Sequence, residues 1–121
     1  MKHQAIVRHS DQIAPIDCPY GTVRRIVTGG EGNANVHVVR VTAGGAHYHQ
    51  AYGETYYFLS GSGSLTIEED TFTVGPGTVA FIPAGKVHAL ISDSEAPLEF
   101  IIFGTPPMSI DDERAAPRKP L

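Results

Sequence analysis

Tryptophan is absent from this 121-residue chain, cysteine occurs once and methionine twice. A single thiol, Cys18, excludes an internal disulfide. Stability must therefore come from a hydrophobic core, which a domain of this length can build without staples. Positive charge is also scarce: nine Lys and Arg face thirteen Asp and Glu, for a net charge of −4. A nucleic-acid binder usually presents a basic face, and Arg24, Arg25 and Arg40 are too few to form one. No apolar run approaches the ~20 residues of a membrane span, so no membrane partner is expected. Residues 1–11 carry no apolar stretch of the secretory kind, and a cytoplasmic location is the default expectation. Helical periodicity is missing as well, apart from one short stretch near the C-terminus.

What fills the chain instead is short strand-like runs between turns. Thirteen glycines and nine prolines punctuate it. The runs cover residues 22–28, 34–42, 54–60, 64–68, 71–74, 79–82, 87–92 and 98–103, and are rich in Val, Ile, Thr, Tyr and Phe. Between them lie Gly29-Gly30-Glu31-Gly32, Gly44-Gly45, Gly61-Ser62-Gly63, Gly75-Pro76-Gly77 and Pro83-Ala84-Gly85, all with turn chemistry. Eight short strands at this spacing predict an all-β sandwich or barrel of antiparallel strands. No internal repeat divides the chain, so it reads as one domain, residues 1–121. Its barrel core spans about residues 20–104. The N-terminal segment 1–19, with Ile6, Val7, Ile13 and Ile16, can add an edge strand or two. The tail 105–121 is proline-rich and charged; there Ser109 is expected to cap a short helix over residues 110–115, and the last residues are expected to be mobile.

The histidines carry the chemistry. In a strand, successive side chains point to opposite faces, so His47 and His49 share a face. Neutral imidazoles and a carboxylate such as Glu54 are ligands for divalent transition metals. The full pattern is His47-Tyr48-His49, four residues, Glu54, six residues, Gly61; then, after a gap, Gly77, five residues, Pro83, Gly85 and His88.

This pattern resembles the two signature motifs of the cupin superfamily, closely over residues 44–88 and more loosely in the flanking strands. The resemblance implies a cupin-type jelly-roll β-barrel with a metal in its mouth and His47, His49, Glu54 and His88 as ligands. Two positions depart from the family pattern. Val41 stands where the first motif opens on glycine, and Ser92 where the second ends on asparagine; neither position is a ligand in the family. The resemblance also implies a homodimer, in keeping with the exposed edges of an open sheet and the frequency of two-fold assemblies.

Three imidazoles and one carboxylate leave an octahedral ion two open positions for substrate, or for substrate and dioxygen. The carboxylate favours Fe or Mn; Ni, Cu and Zn are the alternatives. The expected function is therefore metal-dependent chemistry on a small oxygenated metabolite, foremost that of a dioxygenase-like oxidoreductase. A redox-neutral isomerase, lyase or decarboxylase, or a sugar- or metabolite-binding module without turnover, shares the same motif residues. Glu54 is a candidate base, and Tyr52, in the loop between the ligands, is expected to close over a substrate beside Gly53. Tyr48, Tyr57, Phe81 and Phe103 are weaker candidates to line the site. Arg24, Arg40 and Lys86 are the cations considered for an anionic group, with surface charge as the ordinary alternative. His37 lacks a motif partner and reads as structural, His3 and His9 read as solvated, and Cys18 reads as a small half-buried residue.

Overall fold

The computed structural model describes residues 4–18 and 21–106, and the backbone of residues 113–115. Among these described residues eleven strands form two antiparallel sheets. Strands β1 (Ile16–Cys18), β2 (Gly21–Val27), β3 (Asn35–Val41), β10 (Leu98–Thr105), β5 (Gly53–Ser60) and β8 (Val79–Ile82) make a six-stranded sheet in the order β1-β2-β3-β10-β5-β8. Strands β11 (Glu113–Ala115), β4 (Ala43–His49), β9 (His88–Ser92), β6 (Gly63–Ile67) and β7 (Asp70–Val74) make a five-stranded sheet in the order β11-β4-β9-β6-β7. Among the described residues no helix is long and apolar enough to cross a membrane.

The alternation of the strands decides what is buried. On β3, Asn35, His37, Val39 and Val41 face inward. They meet Val23 of β2, Leu98 and Phe100 of β10, Tyr56 and Phe58 of β5, and Leu65, Val74 and Leu90 of the opposite sheet. Phe58 is fully buried, and its ring centroid lies 5.1 Å from that of Phe100. The outer face of the six-stranded sheet exposes Tyr57, Val79, Phe81 and Phe103, so these four aromatic and aliphatic side chains point away from the interior. Gly61-Ser62-Gly63 is a crossing of backbones: a Cβ on Gly63 would sit 2.2 Å from the carbonyl oxygen of Ile91. Only glycine permits so close an approach.

Two local expectations are corrected. Glu113–Ala115 pairs with β4 as a strand, Glu113 opposite His49 and Ala115 opposite His47, and does not continue a helix. The open edge of β4 offers unpaired backbone groups, and ladder pairing satisfies more of them than one turn of helix would. Residues 107–112 and 116–121, including the expected cap Ser109 and the chain end, lie outside the described residues, as does His3. In the N-terminal segment a short 3-10 turn, Ser10–Gln12, precedes the edge strand β1. It is held by a reciprocal cap in which the His9 ring accepts from Asp11 N and the Gln12 side chain accepts from His9 N.

Candidate metal centre

Four side chains from three strands meet between the sheets. His47 and His49 come from β4, His88 from β9 and Glu54 from β5, so both sheets contribute. Their ligand atoms all lie within 4.8 Å of one another. Local geometry explains the convergence. The register of β4 against β9 runs Gly44 to Leu90 and then His47 to His88, one residue more on β4 than on β9. This bulge lets Gly44 and His47, an odd number apart, both face the interior. His47 then sits directly opposite His88, with ring centroids 4.2 Å apart. Residues 50–52 carry the chain from β4 into the other sheet and bring Glu54 back against the rings.

Hydrogen bonds set which nitrogen is available. His47 Nδ1 lies 3.0 Å from the Gly45 carbonyl oxygen and His88 Nδ1 lies 2.9 Å from that of Lys86. A carbonyl only accepts, so each Nδ1 carries the proton and each Nε2 presents a lone pair. His88 Nε2 is buried without a hydrogen-bond partner and lies 3.4 Å from Glu54 Oε1. A lone pair facing a carboxylate oxygen in a dry site is unfavourable unless a cation lies between them. His49 Nε2 lies 3.2 Å from the same oxygen. Its Nδ1 lies 2.5 Å from the Tyr52 hydroxyl, which can either donate or accept. When His49 uses its Nε2 lone pair as a ligand, Nδ1–H donates to Tyr52.

The charge balance also suits a divalent ion. Burial, followed by the neighbouring His88, pushes the His47 imidazole down to about 4, so His47 is a neutral ligand at neutral pH. Burial alone would raise the Glu54 carboxyl. The His49 and His88 rings outweigh it and hold the group well below the usual carboxylate range. Imidazoles ligate a metal as neutral donors, so three of them with one ionised carboxylate make a donor set of one negative charge, which a divalent ion suits. The donor set fits a first-row transition ion.

The ligands open on a cavity of about 190 Å³. The expected role of Tyr52 over this cavity is not where the structure places it. Tyr52 is 2% exposed, does not line the cavity, and stands behind His49 as its hydrogen-bond partner. Tyr56 is the aromatic that sequence reasoning missed. It lines the cavity and its hydroxyl donates to Glu54 Oε1 at 3.0 Å. Two-residue alternation from Glu54 along β5 was the available signal. Cys18, a half-buried free thiol, borders the cavity as well. The cations considered for anion binding are engaged elsewhere: Arg24 donates to the Ser10 and Ile13 carbonyls, Arg40 pairs with Glu99, and Lys86 approaches Glu68.

Because Tyr52 fixes the ring and tautomer of His49, Tyr52→Phe is expected to weaken metal affinity about 10- to 100-fold with little change in fold. Competition against a calibrated chelator reads this directly, and unchanged affinity would remove Tyr52 from the centre.

Comparison with known proteins agrees with this architecture. Residues 34–104 match the Cupin domain family (Cupin_2). Protein MJ1618 of Methanocaldococcus jannaschii is 32% identical over 66 residues, 54% of this chain and 53% of that protein, so the chain matches about half the length of this relative. L-ectoine synthase of Mycobacteroides abscessus is 31% identical over 101 residues, 77% of this chain and 76% of the enzyme. Among solved structures, the nucleoside dehydratase Pac13 of Streptomyces superposes with a TM-score of 0.78 at 16% identity, covering 93% of this chain and 92% of its own, a likeness of fold. With the family match spanning β3 to β10 and the four donors gathered between its sheets, the chain belongs to the cupin family.

Proposed function

We propose that this protein is a metal-dependent enzyme acting on a small oxygen-rich metabolite in a redox-neutral reaction, as a lyase, dehydratase or isomerase. The observation that carries the reading is the junction of the His47, His49, Glu54 and His88 donor set with a cavity into which Tyr56 brings a hydroxyl. A divalent ion held by these four residues would polarise a carbonyl or hydroxyl oxygen of the substrate as a Lewis acid. The chain supplies the rest. His47, His49 and His88 fix the geometry through their own hydrogen bonds. Tyr56 Oη holds a proton at the cavity wall, and Glu54, ionised beside it, can receive that proton as the phenol takes one from substrate. Support for redox-neutral chemistry over the dioxygenase-like reading comes from the activities named for an ectoine synthase relative and a dehydratase of the same fold.

Protein loaded with Fe(II) or Mn(II) is expected to convert a member of a hydroxy- and oxo-acid panel at the same rate in air and under nitrogen, followed by NMR of the products. Dioxygen consumed in step with turnover would replace this reading with an oxygenase. Tight binding without any conversion would make the protein a metabolite-binding module. A homodimer belongs to the same proposal, supported by the exposed apolar side chains of Tyr57, Val79, Phe81 and Phe103 on one sheet face.

A further inference from the structure

Five cations have described side chains: Arg8, Arg24, Arg25, Arg40 and Lys86. Arg8 pairs with Glu31, Arg40 with Glu99 and Lys86 with Glu68, and Arg24 donates to two carbonyls. Of these five, Arg25 alone makes no ion pair or side-chain hydrogen bond among the described residues, and it lines the cavity. Alternation along β2 explains why: Arg24 lies on the outer face, where it anchors the N-terminal segment, and Arg25 on the inner one. Directly opposite Arg25 on β3 is His37, 5% exposed, which lines the same cavity. His37 Nε2 is buried with no hydrogen-bond partner. The half-buried Arg25 and the buried His37 nitrogen thus face one space bordered by Val23, Val39 and Phe100. A half-buried guanidinium that makes no ion pair is free to meet an anion entering that space.

The position in the sheet separates this pair from the metal ligands. Arg25, His37, Ile102 and Tyr56 stand in one row across β2, β3, β10 and β5. Three strand spacings, about 14 Å at ~4.8 Å each, lie between the backbones of Arg25 and Tyr56, and Tyr56 bonds Glu54. The cavity therefore has a metal-ligand end and a cationic end.

We infer that Arg25 and His37 form a carboxylate subsite, and that the substrate is a short acid whose carboxylate they hold while its oxygen-bearing end reaches the His47–Glu54 cluster. The Arg25 fork matches a carboxylate in two parallel hydrogen bonds. His37, kept neutral by burial and then by Arg25 itself, has an N–H to add. Asp17 also borders the cavity but makes no ion pair with Arg25, so it does not occupy the subsite. A cavity of about 190 Å³ suits a compact acid. The metal-facing half of this assignment rests on the proposed function; the Arg25 half does not.

Titration calorimetry on Mn(II)-loaded protein with 2-oxoglutarate and with its γ-amide, which keeps the carboxylate beside the keto group and loses only the distal charge, tests it. The acid is expected to bind on the order of tenfold or more tightly than the amide. The preference should vanish in Arg25→Gln, return in part in Arg25→Lys, and shrink several-fold in His37→Phe, with metal content and thermal midpoint unchanged in all three. Equal binding of acid and amide by the wild type, or a preference retained in Arg25→Gln, overturns the inference. Inorganic phosphate binding more tightly than the acid, with the same dependence on Arg25, overturns the carboxylate assignment. If the wild type takes up no divalent ion, the proposed function fails alone. The subsite is then read on metal-free protein by the shift of the His37 ring resonances with 2-oxoglutarate, expected in wild type and lost in Arg25→Gln. No shift in wild type would sink the subsite too.

Discussion

His88→Ala is expected to lower affinity for Mn(II) or Fe(II) by a hundredfold or more while leaving the far-ultraviolet spectrum of a β-protein intact. A magnitude above the ~10- to 100-fold cost of losing a supporting hydrogen bond follows because a ligand itself is removed. The choice of His88 rests on its geometry. Its Nδ1–H is committed to the Lys86 carbonyl, and its Nε2 faces Glu54 with no hydrogen bond of its own. That nitrogen has a use only with a cation beside it. His37→Ala, which removes a buried histidine outside the cluster, is the matched control and should keep one equivalent of metal. Elemental analysis after dialysis, with chelator competition for affinity, separates the two variants. Wild-type stoichiometry and affinity in His88→Ala would show that the convergence of the four residues is packing and not a metal centre.

The second large effect belongs to the core. Phe58→Ala is expected to cost about 3–5 kcal/mol of unfolding free energy, a large part of the roughly 5–15 kcal/mol that holds a domain together. Phe58 is fully buried, stacks near Phe100 and Tyr56, and does not touch the cavity, so its loss leaves a void with no polar group to recruit water. Phe58→Leu should cost less, under about 1.5 kcal/mol if neighbours repack. Urea unfolding monitored by tyrosine fluorescence gives both numbers. A loss below 1 kcal/mol in the alanine variant would mean that the two sheets close over the gap. Metal affinity per folded molecule should stay at the wild-type level, which distinguishes core damage from site damage.

Much of this was readable in the residues alone. The strand runs follow from β-branched and aromatic segments between glycine turns, and the eight runs lie within two residues of their observed strands. The ligand set could be named because metal chemistry restricts residue type and spacing so tightly. What surrounds the ligands was harder, because it depends on which of two faces a side chain takes. Arg24 and Arg25 are neighbours of identical type, and only strand parity against the core tells the surface anchor from the cavity cation. Tyr52 looked like a lid because it sits in a loop, yet three residues spanning two sheets must turn inward, and the phenol ends behind His49. The β4 bulge shifts parity between Gly44 and His47 through a glycine pair that fits a turn equally well. Glu113–Ala115 has no strand signature of its own; the free edge of β4 dictates its conformation.

That last pairing has a practical corollary. The strand bearing two of the four ligands is clamped on one side by β9 and on the other by three residues from the far end of the polypeptide. The pocket and the carboxyl-terminal stretch are thus mechanically in series. A fusion tag that tugs on Glu113–Ala115, or a protease that clips ahead of it, acts on His47 and His49 as surely as a mutation beside them.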